Sequence, residues 1–165
     1  LKSLLVDDDQ HRLMWLGEIL RALGVRRLCE AGDGTQGRQM SQHHPVDIIM
    51  TDLSMVPLDG IDFVRLLRKS PKPEVQMIPV IMVTGHSTLN RVNEARDAGV
   101  NEFLTKPLTG RGVIERITLV VDHPRPFVKC TTYVGTDRRR KVDPNFQGPQ
   151  RRRGDPQRMV AAHEI

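Results

Sequence analysis

VDIIMTDLSMVPLDG, residues 46–60, is an apolar run that ends in a carboxylate, Asp52, and then gives way to a loop. Three other runs share that build. SLLVDDD (3–9) ends in Asp7, Asp8 and Asp9; IPVIMVTG (78–85) carries Thr84 near its end; NEFLTKP (101–107) brings Lys106 just before Pro107. Longer segments with apolar residues at helical spacing lie between them, and that alternation predicts βα repeats on a parallel sheet. In an open parallel α/β sheet the C-terminal strand ends share one edge, and ligands bind there. The runs therefore deliver acid, acid, hydroxyl and ammonium to a single place. Clustered carboxylates need a cation, and hard oxygen donors suit Mg²⁺. A lysine and a hydroxyl beside them suit a phosphoryl group, so the constellation points to a phosphoryl-acceptor site.

The elements follow from periodicity and punctuation. Strands are expected at about Lys2–Val6, Arg26–Ala31, Asp47–Thr51, Pro79–Val83 and Glu102–Thr105. The first helix carries Leu13, Leu16, Ile19, Leu20 and Leu23 on one face, with Asp9 as its cap and Gly24 as its stop. A weaker, polar helix is expected near Thr35–His43. A third begins after Gly60, with Ile61, Val64 and Leu67 inward and Arg65, Arg68 and Lys69 turned to water; Pro71 and Pro73 end it. Two more are expected at about Thr88–Ala98 and, capped by Thr109, up to Val121. Five such units fit a doubly wound, flavodoxin-like sheet of order 2-1-3-4-5, which sets Asp7, Asp8 and Asp52 at the switch point between the first and third strands.

LLVDDD, DIIMTDLSMVPLDG, VTG and FLTKP, in this order and spacing, resemble the motifs of the response-regulator receiver domain of two-component signalling, over roughly residues 1–122. The resemblance implies that Asp52 accepts a phosphoryl group from a sensor histidine kinase or a histidine phosphotransfer protein. It implies Mg²⁺ held by Asp7, Asp8, Asp52 and the backbone carbonyl of Ser54, and Lys106 contacting the phosphoryl group, often across a cis Lys–Pro bond. Thr84 is the switch hydroxyl on this basis and Phe103 the switch aromatic; lacking the hydroxyl of the commoner tyrosine, Phe103 acts through packing alone. Apart from self-phosphorylation and dephosphorylation, no enzymatic activity is implied. Ser54 and His86 fall where the family modulates access of hydrolytic water. The chain departs from the pattern at Val56, where proline is usual; Pro57 follows it. A metal-dependent phosphatase also uses an aspartate nucleophile on a parallel sheet, but wants a second Asp where Ser54 stands.

Composition bounds the rest. The 165 residues have a formal net charge of +5, and this conceals a split. Residues 1–122 carry 15 Lys and Arg against 16 Asp and Glu, whereas residues 123–165 carry 10 against 4. The basicity belongs to a Pro/Gly/Arg-rich extension, expected to be partly disordered, holding GTDRRR (135–140) and GPQRRR (148–153). Its arginines could meet nucleic-acid phosphate or acidic lipid; its apolar residues Phe127, Val128, Tyr133, Val134 and Phe146 could pack on the first domain or on a partner. The RRRK run lacks the remaining motif and barrel strands of a PilZ domain. Cys29 and Cys130 have no metal spacing and read as reduced thiols of a cytoplasmic protein. No apolar stretch approaches the roughly 18 residues of a spanning helix.

Overall fold

A computed structural model describes residues 1–85, 88–130 and 132–137, together with the backbone of 157–159. The chain runs β1 (Lys2–Val6), α1 (Gln10–Ala22), β2 (Arg27–Ala31), α2 (Gly34–His43), β3 (Ile48–Asp52), α3 (Gly60–Arg68), α4 (Pro73–Gln76), β4 (Val80–Thr84), α5 (Leu89–Ala98), β5 (Glu102–Thr105) and α6 (Gly110–Asp122). The first five strands form one parallel sheet of order β2-β1-β3-β4-β5. The expected fold and strand order are therefore observed, with element limits shifted by a residue at several ends.

Side chains of the inner strands alternate between two cores, as strand geometry requires. Leu4, Val6, Ile49, Val80 and Met82 pack with Ile61, Phe63, Val64 and Leu67 of α3 and with Ala95 and Ala98 of α5. Leu5, Ile48, Met50, Ile81 and Val83 pack on the other face with Leu13, Leu16 and Leu20 of α1 and Val113 and Val120 of α6. Both faces are covered, so β1, β3 and β4 are almost continuously buried, the mark of a doubly wound parallel sheet. Asp9, Asp33, Asp59, Thr88 and Thr109 each cap a helix by accepting from backbone N–H groups of its first turn, as anticipated for Asp9 and Thr109.

Register fixes what lies at the C-terminal edge. Val6 sits opposite Thr51, Asp52 opposite Val83, and Thr84 opposite Thr105. Asp7, Asp52, Thr84 and Lys106 thus leave their strands side by side. Gly60 closes the loop after β3: its N–H bonds to the Leu53 carbonyl, and a Cβ there would collide with the carbonyl oxygen of Asp52. Any larger residue would push the end of β3 out of place.

Two expectations about α3 are corrected. Arg68 does not face water: it is only 4% exposed, whereas Arg65 and Lys69 are on the surface. Arg68 lies seven residues after Ile61, so it continues the apolar stripe rather than the polar one. Pro73 does not end the helix, which stops at Arg68 with Lys69 as its cap, two residues before Pro71; Pro73 instead opens the one-turn α4, the first helical position where proline is favourable.

Beyond α6 the chain forms a hairpin, β6 (Phe127–Cys130) and β7 (Tyr133–Thr136), and β8 (Gln157–Met159) pairs with the other edge of β6. Phe127 and Val128 are buried. The Phe127 ring lies 5.0 Å from the Arg68 guanidinium carbon, and Arg125 bonds the Asn101 carbonyl and, at 2.6 Å, Glu102. β7 rests on the end of α5, where Gly99 adopts φ 102° and has no space for a Cβ beside the Val134 carbonyl. Arg68 donates to the carbonyls of Gly99, Gln76 and Ile78 and to the Asn101 side chain, at 2.7–3.2 Å. Burial pulls its pKa down to about 10, still protonated at neutral pH. These contacts gather at the N-terminal edge of the sheet, away from Asp52. Both arginine triplets and Phe146 lie outside the described residues.

Candidate active site

Asp7 and Asp52 are buried at the ends of β1 and β3, and Asp8 is exposed at the rim. Each offers a carboxylate oxygen, and the three oxygens lie within 4.8 Å of one another. Repulsion among them is balanced by two cations. Lys106 Nζ, from the end of β5, stands 2.7 Å from Asp52 Oδ1. The Arg12 guanidinium enters from the first turn of α1: Nε donates to Asp7 Oδ2 at 2.8 Å and Nη2 to Asp7 Oδ1 at 2.7 Å, while Nη1 reaches Asp9 at 3.0 Å. The bonds to Asp7 raise the Arg12 pKa further above its already high value. Asp9 is held below its ordinary range, mainly by the backbone N–H of Arg12.

The pocket suits a hard divalent cation. The donors are all carboxylate oxygens, and the ammonium meets Asp52 Oδ1 as an ion pair without an aligned hydrogen bond, so that among the described residues this buried oxygen accepts none. Ser54, exposed two residues after Asp52, opens the loop toward the cis Val56–Pro57 bond. The Lys106–Pro107 bond is also cis, the arrangement implied by the resemblance.

Thr84 is 4% exposed at the end of β4, with its Oγ1 3.4 Å from the Gly85 carbonyl. Phe103 is half-buried on β5. Both line a hollow of about 630 Å³ between α5 and α6, together with Val92, Arg96, Arg116 and Leu119. His86 lies outside the described residues.

Arg12 is the site residue that sequence reasoning missed, along with an ion-pair chain behind the β3 loop. Asp59 pairs with Arg91 of α5 at 2.9 Å, and Glu94 bridges Arg91 and Arg65 at 2.8 and 2.9 Å, tying α5 to α3. Burial works to raise Asp59, but the Asp62 N–H and Arg91 overcome it and its pKa falls below normal; Glu94 is lowered by Arg91 and then Arg65. The signal for Arg12 was its place one helical turn beyond three aspartates.

Residues 4–118 match the family described as the response regulator receiver domain. The chain belongs to that family. It is 33% identical over 122 residues to the chemotaxis protein CheY of Pseudomonas aeruginosa, covering 74% of this chain and 97% of that one. It is 30% identical over 135 residues to the transcriptional regulatory protein PdtaR of Mycobacterium tuberculosis, covering 82% of this chain and 63% of that one. Among solved structures it is similar to the receiver domain of a sensor histidine kinase from Pseudomonas aeruginosa, determined with a magnesium ion coordinated in the active-site cleft. That match has a TM-score of 0.63 and 26% identity over 72% of this chain and 93% of that chain. The receiver fold of two-component signalling thus accounts for the acidic pocket and its placement. Among the described residues no helix is long and apolar enough to cross a membrane.

Proposed function

We propose that Asp52 is the phosphoacceptor of a response regulator that takes its phosphoryl group, in the cytoplasm, from a histidine kinase or a histidine phosphotransfer protein. The observation that carries this reading is Asp52 itself: a buried carboxylate paired with Lys106 on one side and facing the acidic pocket on the other. An Asp52 oxygen attacks phosphorus, the bond from phosphorus to the donor imidazole breaks, and its electron pair returns to the ring nitrogen, leaving an acyl phosphate. Asp7, Asp8, Asp52 and the Ser54 carbonyl would hold Mg²⁺, which would offset charge on the transferring oxygens. Lys106 holds the phosphoryl oxygen nearest it and orients Asp52.

Output follows from Thr84 and Phe103, which share the hollow between α5 and α6. A phosphoryl group favours the state in which Thr84 and Lys106 contact it, and that difference in contacts is what shifts the equilibrium. The surface of α5, β5 and α6 then changes for a downstream protein. Replacement Asp52→Asn keeps the shape and removes the nucleophile. It should abolish acetyl-phosphate-dependent phosphorylation, read by mass spectrometry of the intact chain, with an unchanged circular dichroism spectrum. Labelling at the normal rate would place the acceptor elsewhere.

The likeness to a transcriptional regulatory protein supports a second reading, in which the basic residues after position 137 contact nucleic acid. Duplex binding by the full chain would then weaken steeply with salt. Binding insensitive to salt, or none, removes this reading.

A further inference from the structure

The proposed phosphoacceptor reading gives Arg12 no part in the transfer, yet its guanidinium stands among the three carboxylates of the pocket. Its Nη2 lies 2.7 Å from Asp7, 3.5 Å from Asp8 and 3.6 Å from Asp52. These are the same three carboxylates whose oxygens converge closely enough to hold a metal ion. One amino group of the guanidinium therefore stands where a divalent cation would be ligated. Arg12 also engages both oxygens of Asp7 through its Nε and Nη2, and the Asp9 N–H already bonds Asp7 Oδ1. A cation and the guanidinium cannot both take these lone pairs, and two positive charges so close repel each other.

We propose that Arg12 is a resident counter-ion that Mg²⁺ must displace, so that the chain itself sets the threshold for metal loading and hence for phosphorylation. The inference rests on the reading of this pocket as a Mg²⁺ site. Displacement has somewhere to go. Arg12 Nη1 already pairs with Asp9, whose side chain is 38% exposed, and Arg12 is itself 31% exposed at the pocket mouth. Rotation about its own side-chain bonds lets it keep Asp9 while it leaves Asp7. With Arg12 seated, the buried Asp7 and Asp52 remain compensated when no metal is bound, which limits the cost of ionised groups out of water. With Arg12 displaced, its charge stays at the rim, close to where a phosphoryl group on Asp52 would project.

The consequence is quantitative. A site competent only in a fraction of molecules shows an affinity reduced by that fraction. A bidentate, charge-assisted pair that is partly exposed closes the pocket in most molecules, so releasing it should raise Mg²⁺ affinity about tenfold. Calorimetric titration of Mg²⁺ into the 165-residue wild-type chain and Arg12→Gln, at fixed pH and ionic strength, reads this directly. Arg12→Lys, which keeps the charge but loses the fork, should fall between them. Equal or weaker binding by Arg12→Gln overturns the proposal and leaves the metal site intact; absence of Mg²⁺ binding by every protein overturns the metal reading as well. A measurement on the wild-type chain is independent of any variant's folding. The Arg12 Nε–H, held by Asp7, should give a protected side-chain signal in nitrogen–proton NMR that disappears as Mg²⁺ saturates. A signal that persists at saturation refutes displacement.

Discussion

Replacement of Arg68 by alanine is a severe test of how the extension and the sheet are joined. The guanidinium is the hydrogen-bond donor to the carbonyls of Gly99, Gln76 and Ile78, and the change leaves all three buried without it. The Asn101 oxygen keeps a second donor, the Val80 N–H at 2.9 Å, and so suffers less. A buried acceptor left unsatisfied costs about 1–3 kcal/mol, and entering water would hold each near the lower end, giving about 3–4 kcal/mol for three. Loss of the cation–π contact with Phe127 adds about 1 kcal/mol. Relief from burying a charge offsets part of this, so the net expectation is a loss of about 3–4 kcal/mol. For a chain of this size that lowers Tm by roughly 6–16 °C.

Urea unfolding followed by circular dichroism would measure it. A double-mutant cycle with Phe127→Leu should return a coupling of about 1 kcal/mol, because the two side chains are in contact. A loss below about 1 kcal/mol for Arg68→Ala would refute the reasoning, since the acceptors would then have been satisfied without the guanidinium.

The other predictions concern acid, and transmission from the site. Asp59 and Glu94 have folded pKa values below their ordinary 3.8 and 4.5, so the stability they contribute is present above those values and is lost as pH falls through the lowered ones. Arg91→Gln removes their shared partner, and should shrink the difference in urea midpoint between about pH 6 and about pH 3; an unchanged difference would show that other carboxylates dominate. Beryllofluoride with Mg²⁺, as a phosphoryl mimic, should shift amide NMR signals of Phe103 and α5 as well as those beside Asp52. Shifts confined to the acidic pocket would mean that the site binds without transmitting.

The sheet and its order were legible because each strand is a short apolar run, and because the residues that end these runs, Asp52, Thr84 and Lys106, are placed by register alone. Asp7, Asp8 and Asp52 converge for the same reason. Arg12 was hidden because an arginine in the first turn of an amphipathic helix looks solvated until three strand ends are assembled around it. Arg68 was misread because its neighbours Arg65 and Lys69 do face water, while the acceptors that draw it inward come from positions 76, 78, 99 and 101. The hairpin strands are four residues each, too short to show a period, and what holds Phe127 is a cation about sixty residues earlier in the chain.

The hairpin gives the molecule two poles. Asp137, the last residue described before the arginine triplets, has its N–H tied to the Pro126 carbonyl at 2.8 Å, beside a sheet seated on the end of α5. Asp137 therefore stands on the side of the sheet opposite Asp52. A protein shortened after α6 would not be the same body with a tail removed. It would bare one flat face of the Arg68 guanidinium and the glycine at the foot of α5, turning an interior seam into fresh surface.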